Sequence, residues 1–262
     1  MSKKRNTLEE VFNRCMESNN LTFNSDFAKE ISIKHNFSNH HDLTHIERKN
    51  LLPQVMIDKD YFVIRLGQGQ YKFIKGINDY YHPFEKIDNI KDWSYKKNIL
   101  DELNTSESNI LSVINNQGII QDFLYGDRRE IPNVYNAHRT GHTFKYKLKE
   151  NEITCDQMQI EIDLTLESRG RITVFEAKNK FSENFAKYQI YFPFRKYYDE
   201  YIEGKIKLTN KRDIFEVDSC YVQRKEIDGI SVIRMYLYTF SDKNDICSIK
   251  LLDSCEYRLI PN

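Results

Sequence analysis

The chain has 262 residues, room for one large domain or a medium domain with a small satellite, and its 30% charged and 40% hydrophobic residues exclude a disordered polymer. Its formal net charge is zero at pH 7, which excludes a global electrostatic pull toward nucleic acid or acidic membrane, so any basic surface is local. No apolar run is long enough to span a bilayer and MSKKRNTLEE lacks the apolar stretch of a signal peptide, so a cytoplasmic protein without a membrane partner is expected.

From the amino terminus, Asn24 or Ser25 is placed to cap a helix through DFAKEISIKHNF. The cap is partial, because Ala28 rather than Glu stands three residues after Ser25. A second helix is predicted from Ser38 or Asp42 through LTHIERKNL, where Leu43, Ile46 and Leu51 fall near helical spacing before Pro53. YFVIRL and QYKFIKG flank Gly67-Gln68-Gly69 as two strands of a hairpin. Short helices followed by a hairpin predict a winged-helix-like DNA-recognition domain over residues 1–90. The alternative is a small α+β lobe that packs on the rest. Lys34, His35, Arg48 and Lys49 supply donors for phosphates in this region. His41-Asp42-Leu43-Thr44-His45 has the spacing of a zinc-binding H-E-x-x-H helix, but Asp42 replaces the general-base glutamate. Gly67-x-Gly69 lacks the third glycine and the Lys-Ser/Thr of a phosphate loop, and a hairpin turn explains it better.

Residues 91–262 read as a second domain. SESNILSVINNQGIIQDFLYGD is helical, with Ile110, Leu111 and Ile114 as an apolar stripe and Gly118 as a stop. Strand-like runs follow at VYNAHRTGHTFKYKLKE, ITCDQMQIEIDLTLE and RITVFEAKNK, the last two joined by Ser168-Arg169-Gly170. FAKYQIYFPFRKYYDEYIEGK is helix-rich, with Pro193 at its start or at a kink, and DIFEVDSCYV and ISVIRMYLYTF are strands. This order implies an α+β fold with a mixed sheet. Cys15, Cys155, Cys220, Cys247 and Cys255 are odd in number and contain no C-x-x-C pair, which excludes a disulfide framework and a zinc knuckle and predicts reduced thiols.

The stretch QIEIDLTLESRGRITVFEAKNK, residues 159–180, carries charges inside two strand-like runs. Side chains alternate along a strand, so Glu161 and Asp163 share one face and Glu176 and Lys178 share another, with Ile160, Ile162, Leu164, Phe175 and Ala177 opposite. If the hairpin brings these strands together, carboxylates and an ammonium converge. Such a cluster suits phosphodiester hydrolysis assisted by a hard divalent cation, which prefers carboxylate oxygen, lowers the pKa of a bound water and offsets charge at the phosphate. Lys178 is then placed to orient the nucleophile or steady the phosphate. The bland alternative is an amphipathic hairpin with a solvated polar face and cross-strand ion pairs.

Asp163 followed by Glu176-Ala177-Lys178 resembles the PD-(D/E)xK nuclease superfamily, and residues 155–200 resemble a bacterial type II restriction endonuclease. The resemblance implies a restriction-endonuclease-like mixed β-sheet core flanked by helices. It also implies that Asp163 and Glu176 bind a catalytic magnesium (Mg2+, with Mn2+ able to substitute), and that Lys178 is the catalytic lysine. Glu161 is an accessory acid, and Glu107 matches loosely a position where some members carry another. Ile162 departs from the motif by standing where its proline falls, which leaves the reacting groups intact. The run FAKYQIYFPFRKYY resembles the helix after the catalytic strand, with Gln189 and Tyr188 facing the site. A second E-x-K triplet, Glu203-Gly204-Lys205, lacks a strand-borne acid upstream and is set aside.

The expected substrate is double-stranded DNA, contacted by local charge: His138 and Arg139 at a polar run entering a strand, Lys145 among alternating lysines, and Lys34 and Arg48 in the amino-terminal region. A type II enzyme cutting both strands implies a homodimer and functional pairing with a cognate DNA methyltransferase. The alternatives are a repair or junction nuclease of the same superfamily and a non-catalytic winged-helix DNA-binding protein.

Overall fold

A computed structural model describes residues 2–96, 107–204 and 214–261. The chain opens with α1 (Lys3–Glu17), whose Ser2 hydroxyl accepts the Arg5 N–H and whose Leu8, Val11, Phe12 and Cys15 form a buried stripe. This helix is not among the elements expected above, although its i, i+3, i+4, i+7 spacing is plain in the sequence. After β1 (Thr22–Asn24), the expected cap forms: Asn24 Oδ1 accepts the Phe27 N–H at 3.0 Å and starts α2 (Ser25–Lys34). Such a cap contributes about 1 kcal/mol.

The helix predicted through residues 38–51 does not form. The chain makes two 3-10 turns instead, His40–Asp42 and Lys49–Leu51. Distant partners take its backbone groups: the Ile46 carbonyl accepts the Tyr81 hydroxyl at 3.2 Å, the Glu47 carbonyl accepts the Ala186 N–H at 2.7 Å, and the Lys49 N–H donates to Asn184 at 2.9 Å. Leu43 and Ile46 are buried and Leu51 is exposed, so the apolar residues pin an irregular segment rather than one face of a helix. Tertiary hydrogen bonds have outcompeted the i→i−4 ladder.

Next come α3 (Gln54–Asp58), β2 (Tyr61–Gly67) and β3 (Gln70–Lys75). The hairpin is as expected, turning through Gln68 and Gly69 with φ of 45° and 69°, the left-handed pair that matches strand twist. Strand β1 adds to it, giving a three-stranded sheet in the order β1-β3-β2.

Then follow α4 (Ile77–Tyr80), β4 (Tyr81–Pro83), β5 (Ile90–Tyr95), α5 (Glu107–Asn116) and α6 (Ile119–Tyr125), with Gly118 separating the last two at φ 72°. Strands β6 (Asn133–Leu148), β7 (Asn151–Ser168) and β8 (Arg171–Lys178) form an antiparallel meander, its second turn through Arg169 and Gly170 at φ 52° and 78°. Strand β9 (Asn184–Ala186) pairs with β4. Helix α7 (Tyr188–Tyr197) continues as a π turn, Tyr198–Ile202. Pro193 lies inside α7 and does not start it. Its missing N–H withdraws the bond that the Gln189 carbonyl would otherwise accept. Strands β10 (Glu216–Ile227), β11 (Ile230–Phe240) and β12 (Ile249–Pro261) close the fold.

The large sheet has seven strands in the order β5-β12-β11-β10-β8-β7-β6, with β10 parallel to β8 and β5 parallel to β12. The architecture is therefore α+β, a mixed sheet flanked by helices. One face, with Phe175, Ala177, Val222, Met235 and Tyr257, packs with Ile114 of α5 and Ile120 of α6. The other packs with α7 and shares one continuous apolar cluster with the amino-terminal elements, from Leu8 and Phe73 through Ile190 to Val174 and Tyr238. All five cysteines are unbridged. Among the described residues no helix is long and apolar enough to cross a membrane.

Candidate functional site

The β7–β8 ladder ends at the pair Leu164 and Phe175. Past that point Asp163 Oδ2 accepts the Ala177 N–H at 3.0 Å, a side chain standing where a strand carbonyl would be. On its other edge β8 stays paired with β10 as far as Lys178 opposite Gln223. Alternation sends Phe175 and Ala177 into the α5–α6 side and turns Asp163, Glu176 and Lys178 toward α7. There Glu176 Oε1 receives Lys178 Nζ at 2.9 Å and Gln189 Nε2 at 2.9 Å. Lys178 Nζ also stands 3.3 Å from Glu47 Oε1. Asp163, Glu176, Lys178 and Gln189 thus converge, and with Tyr188 they line a cavity of about 90 Å3.

Burial dominates the electrostatics. It pushes the Glu176 carboxyl up to about 8 against the opposing pull of Lys178. It raises Asp163 too, opposed by the Ala177 N–H and by Lys178. At Glu47 burial pulls upward, but the charges of Lys178 and His45 outweigh it and hold that carboxyl below its usual range. Two buried carboxyls reluctant to ionise are what a bound cation would stabilise.

Glu161 is exposed at the rim of the cavity and pairs with Arg139 at 2.8 Å. Arg139 lies opposite Glu161 across the β6–β7 ladder and pairs with it at the cavity rim, whereas His138, exposed, lies opposite Ile162. Lys34 is exposed on α2, 2.7 Å from Glu10. Lys145 sits toward the far end of the β6–β7 hairpin, 3.6 Å from Glu152. Arg48 follows Glu47, and its Nε is buried without a hydrogen-bond partner among the described residues. Glu107 opens α5 and its side chain lies outside the described residues, as does Lys205 of the second E-x-K triplet.

Three residues of the site come from the amino-terminal region and are not marked by the motif: Glu47, His45 and Arg65, the last two lining the cavity. His45 belongs to the His-Asp-x-x-His run, but that run forms a 3-10 turn and a following hydrogen-bonded turn rather than a zinc-binding helix. No local signal distinguishes Glu47 or Arg65, because only the tertiary packing brings them to Lys178.

Among the described residues no group of three or more His, Cys, Asp or Glu stands together as a metal cage. The oxygens present suit an ion that takes few protein ligands. Asp163 and Glu176 offer carboxylates, and Gln189 Oε1 is buried without a hydrogen-bond partner among the described residues. Magnesium binds in this way, through one or two carboxylates and several waters.

Neither curated proteins nor solved structures offer a match to the chain. A family match spans residues 76–258, from the end of the β2–β3 hairpin to the last strand, and so includes Asp163, Glu176, Lys178 and Gln189 but not His45, Glu47 or Arg65. The chain belongs to the DUF6997 family, described as a domain of unknown function.

Proposed function

We propose that the protein is a magnesium-dependent, sequence-specific endonuclease for double-stranded DNA, a type II restriction enzyme of the PD-(D/E)xK class. The observation that carries this reading is the parting of β7 and β8 at Leu164 and Phe175, with Asp163 bonded to the Ala177 N–H and Glu176 bonded to Lys178. The sequence of elements also supports it: α5 and α6, the β6–β7–β8 meander, α7 as the crossover, then β10 parallel to β8.

Asp163 and Glu176 would hold the cation. When bound, it would lower the pKa of the attacking water and offset charge at the scissile phosphate. Gln189 fixes the orientation of the Glu176 carboxylate. Lys178, held between Glu176 and Glu47, presents its ammonium to the water or the phosphate. Arg139 and Glu161 stand at the rim, where DNA would enter. The helices α1, α2 and α3 with the sheet β1-β3-β2 support a winged-helix-like recognition region, in which Lys34 and Arg48 would meet phosphates. His138 and Lys145 would extend the contact along the β6–β7 hairpin. Cutting both strands calls for a homodimer, and protecting host DNA calls for a cognate methyltransferase.

The test is cleavage of plasmid and genomic DNA of several methylation states with magnesium or manganese. Discrete fragments are expected, lost in Glu176→Ala and Lys178→Ala while duplex binding is kept. DNA left intact in every state rejects the nuclease reading; if the protein still binds duplex, a non-catalytic DNA-binding protein is favoured. Nicking confined to branched substrates favours a repair or junction nuclease.

A further inference from the structure

Arg65 lines the cavity that holds Asp163, Glu176 and Lys178, yet it comes from β2 of the amino-terminal hairpin. The neighbouring cations of the site are matched with acids, Lys178 with Glu176 and Glu47, and Arg139 with Glu161. The Arg65 guanidinium is half-buried and, among the described residues, has no hydrogen bond or ion pair. A partly desolvated guanidinium without a counterion is costly unless an anion joins it, and its planar fork fits two oxygens of a phosphate.

The hairpin is seated so that Arg65 cannot drift. The Gly67 backbone approaches β7 so closely that a Cβ there would lie 1.8 Å from the Asp156 carbonyl oxygen. Gln68 Nε2 donates to Asp156 Oδ2 at 2.6 Å, and the Cys155 thiol points at the Arg65 carbonyl at 3.8 Å. From this seat the charge of Arg65 reaches Tyr188 and His45, the two rings beside the carboxylates. A donor fixed before substrate arrives contributes without reorganisation.

We propose that Arg65 is a catalytic residue that grips the non-bridging oxygens of the scissile phosphate, opposite Asp163, Glu176 and Lys178. This rests on the nuclease reading above. It gives the region before Gly76, outside the family match, a part in the chemistry as well as in recognition.

The experiment compares the full-length wild type with Arg65→Gln and Arg65→Lys. Cleavage of a plasmid is measured with magnesium, and binding of a defined duplex is measured without metal across a salt series. Loss of the fork in Arg65→Gln is expected to slow cleavage by about 100-fold or more. The salt slope of log affinity is expected to fall by about one. Arg65→Lys restores the slope but only part of the rate, because the charge returns without the fork. Should Arg65→Gln fail to fold, a rate reduced about tenfold in a normally melting Arg65→Lys supports the assignment, and a wild-type rate overturns it. If the wild type cleaves and Arg65→Gln matches it in rate and slope, the role of Arg65 is overturned and the nuclease reading stands. A wild type that cleaves nothing overturns both.

Discussion

Asp163 and the backbone N–H of Ala177 meet at 3.0 Å at the point where the β7–β8 ladder stops. The carboxylate therefore has two tasks, closing a strand hydrogen bond with one oxygen and leaving the other for the cavity. Asp163→Asn keeps an acceptor for Ala177, so its melting temperature is expected to stay near the parent value while, on the proposed nuclease function, cleavage falls by about 100-fold or more. Asp163→Ala also strands the buried N–H, costing about 1–3 kcal/mol. Melting curves set beside cleavage rates separate the two tasks, and an asparagine variant that cuts at the parent rate removes Asp163 from the chemistry.

The acid limb of stability has an identifiable contributor in Glu10. Its carboxyl is held down from 4.5 to about 2, chiefly by Lys34, against burial and with help from His35 and Arg14. The folded pKa lies below the unfolded one, so this stabilisation is present above pH 4.5 and is lost as the pH falls toward 2. Partial solvent exposure limits it to about 1 kcal/mol. Glu10→Gln is expected to lower the melting temperature at pH 7 and to leave a smaller difference from the parent near pH 2. Parallel melting-temperature curves for the two proteins across that range would refute the assignment.

Gly67 sits at φ 92° with the Asp156 carbonyl in the space of a Cβ. Gly67→Ala must shift the hairpin away from β7. A loss of more than about 1 kcal/mol is expected, together with slower hydrolysis as Arg65 leaves the cavity. A variant that melts and cuts like the parent shows that the hairpin seat is dispensable.

Asp199 is fully buried between His142 Nε2 at 2.9 Å and Arg195 Nη1 at 2.8 Å. Asp199→Ala leaves the Arg195 charge buried without its partner, at a cost of about 3–5 kcal/mol. Denaturant unfolding measures it. The paired change Asp199→Leu with Arg195→Met is expected to recover much of the loss, since it removes both charges together.

The parts of this fold that could be read from sequence are those where local pattern and final environment agree. Alternation predicted the faces of β8, and the paired left-handed residues Arg169 and Gly170 made the expected turn. On β7, however, Ile160 and Ile162, expected beside Leu164, join the α7-side cluster, with Ile160 lining the cavity itself, while Leu164 alone of the three reaches the α5–α6 side. Asn24 capped α2 as its side chain and position required. The segment 38–51 misled because Leu43 and Ile46 are buried at helical spacing while the backbone of Ile46, Glu47 and Lys49 is committed to Tyr81, Ala186 and Asn184, partners that no local window contains. Strand β12 was not among the expected elements: Cys255, Tyr257 and Leu259 alternate into the core, but neighbouring Asp253 and Glu256 interrupt the apolar run. The site divides along the same line. Asp163, Glu176 and Lys178 lie on one hairpin and announce themselves, whereas Glu47, His45 and Arg65 reach it only through packing.

The bond between the Lys49 N–H and Asn184 closes a loop of 135 residues, and that between Gln68 and Asp156 closes one of 88. Loops of that length close late, after local turns and hairpins have formed, because their entropy must be lost before the contacts reward it. During synthesis the ribosome delivers Glu47 and Arg65 first, and Glu47 lacks its Lys178 contact until Lys178 has left the exit tunnel and β8 has found β10. Completion of the cavity is thus a late step of folding, and a truncated or half-folded chain has the amino-terminal surface without an assembled centre beneath it.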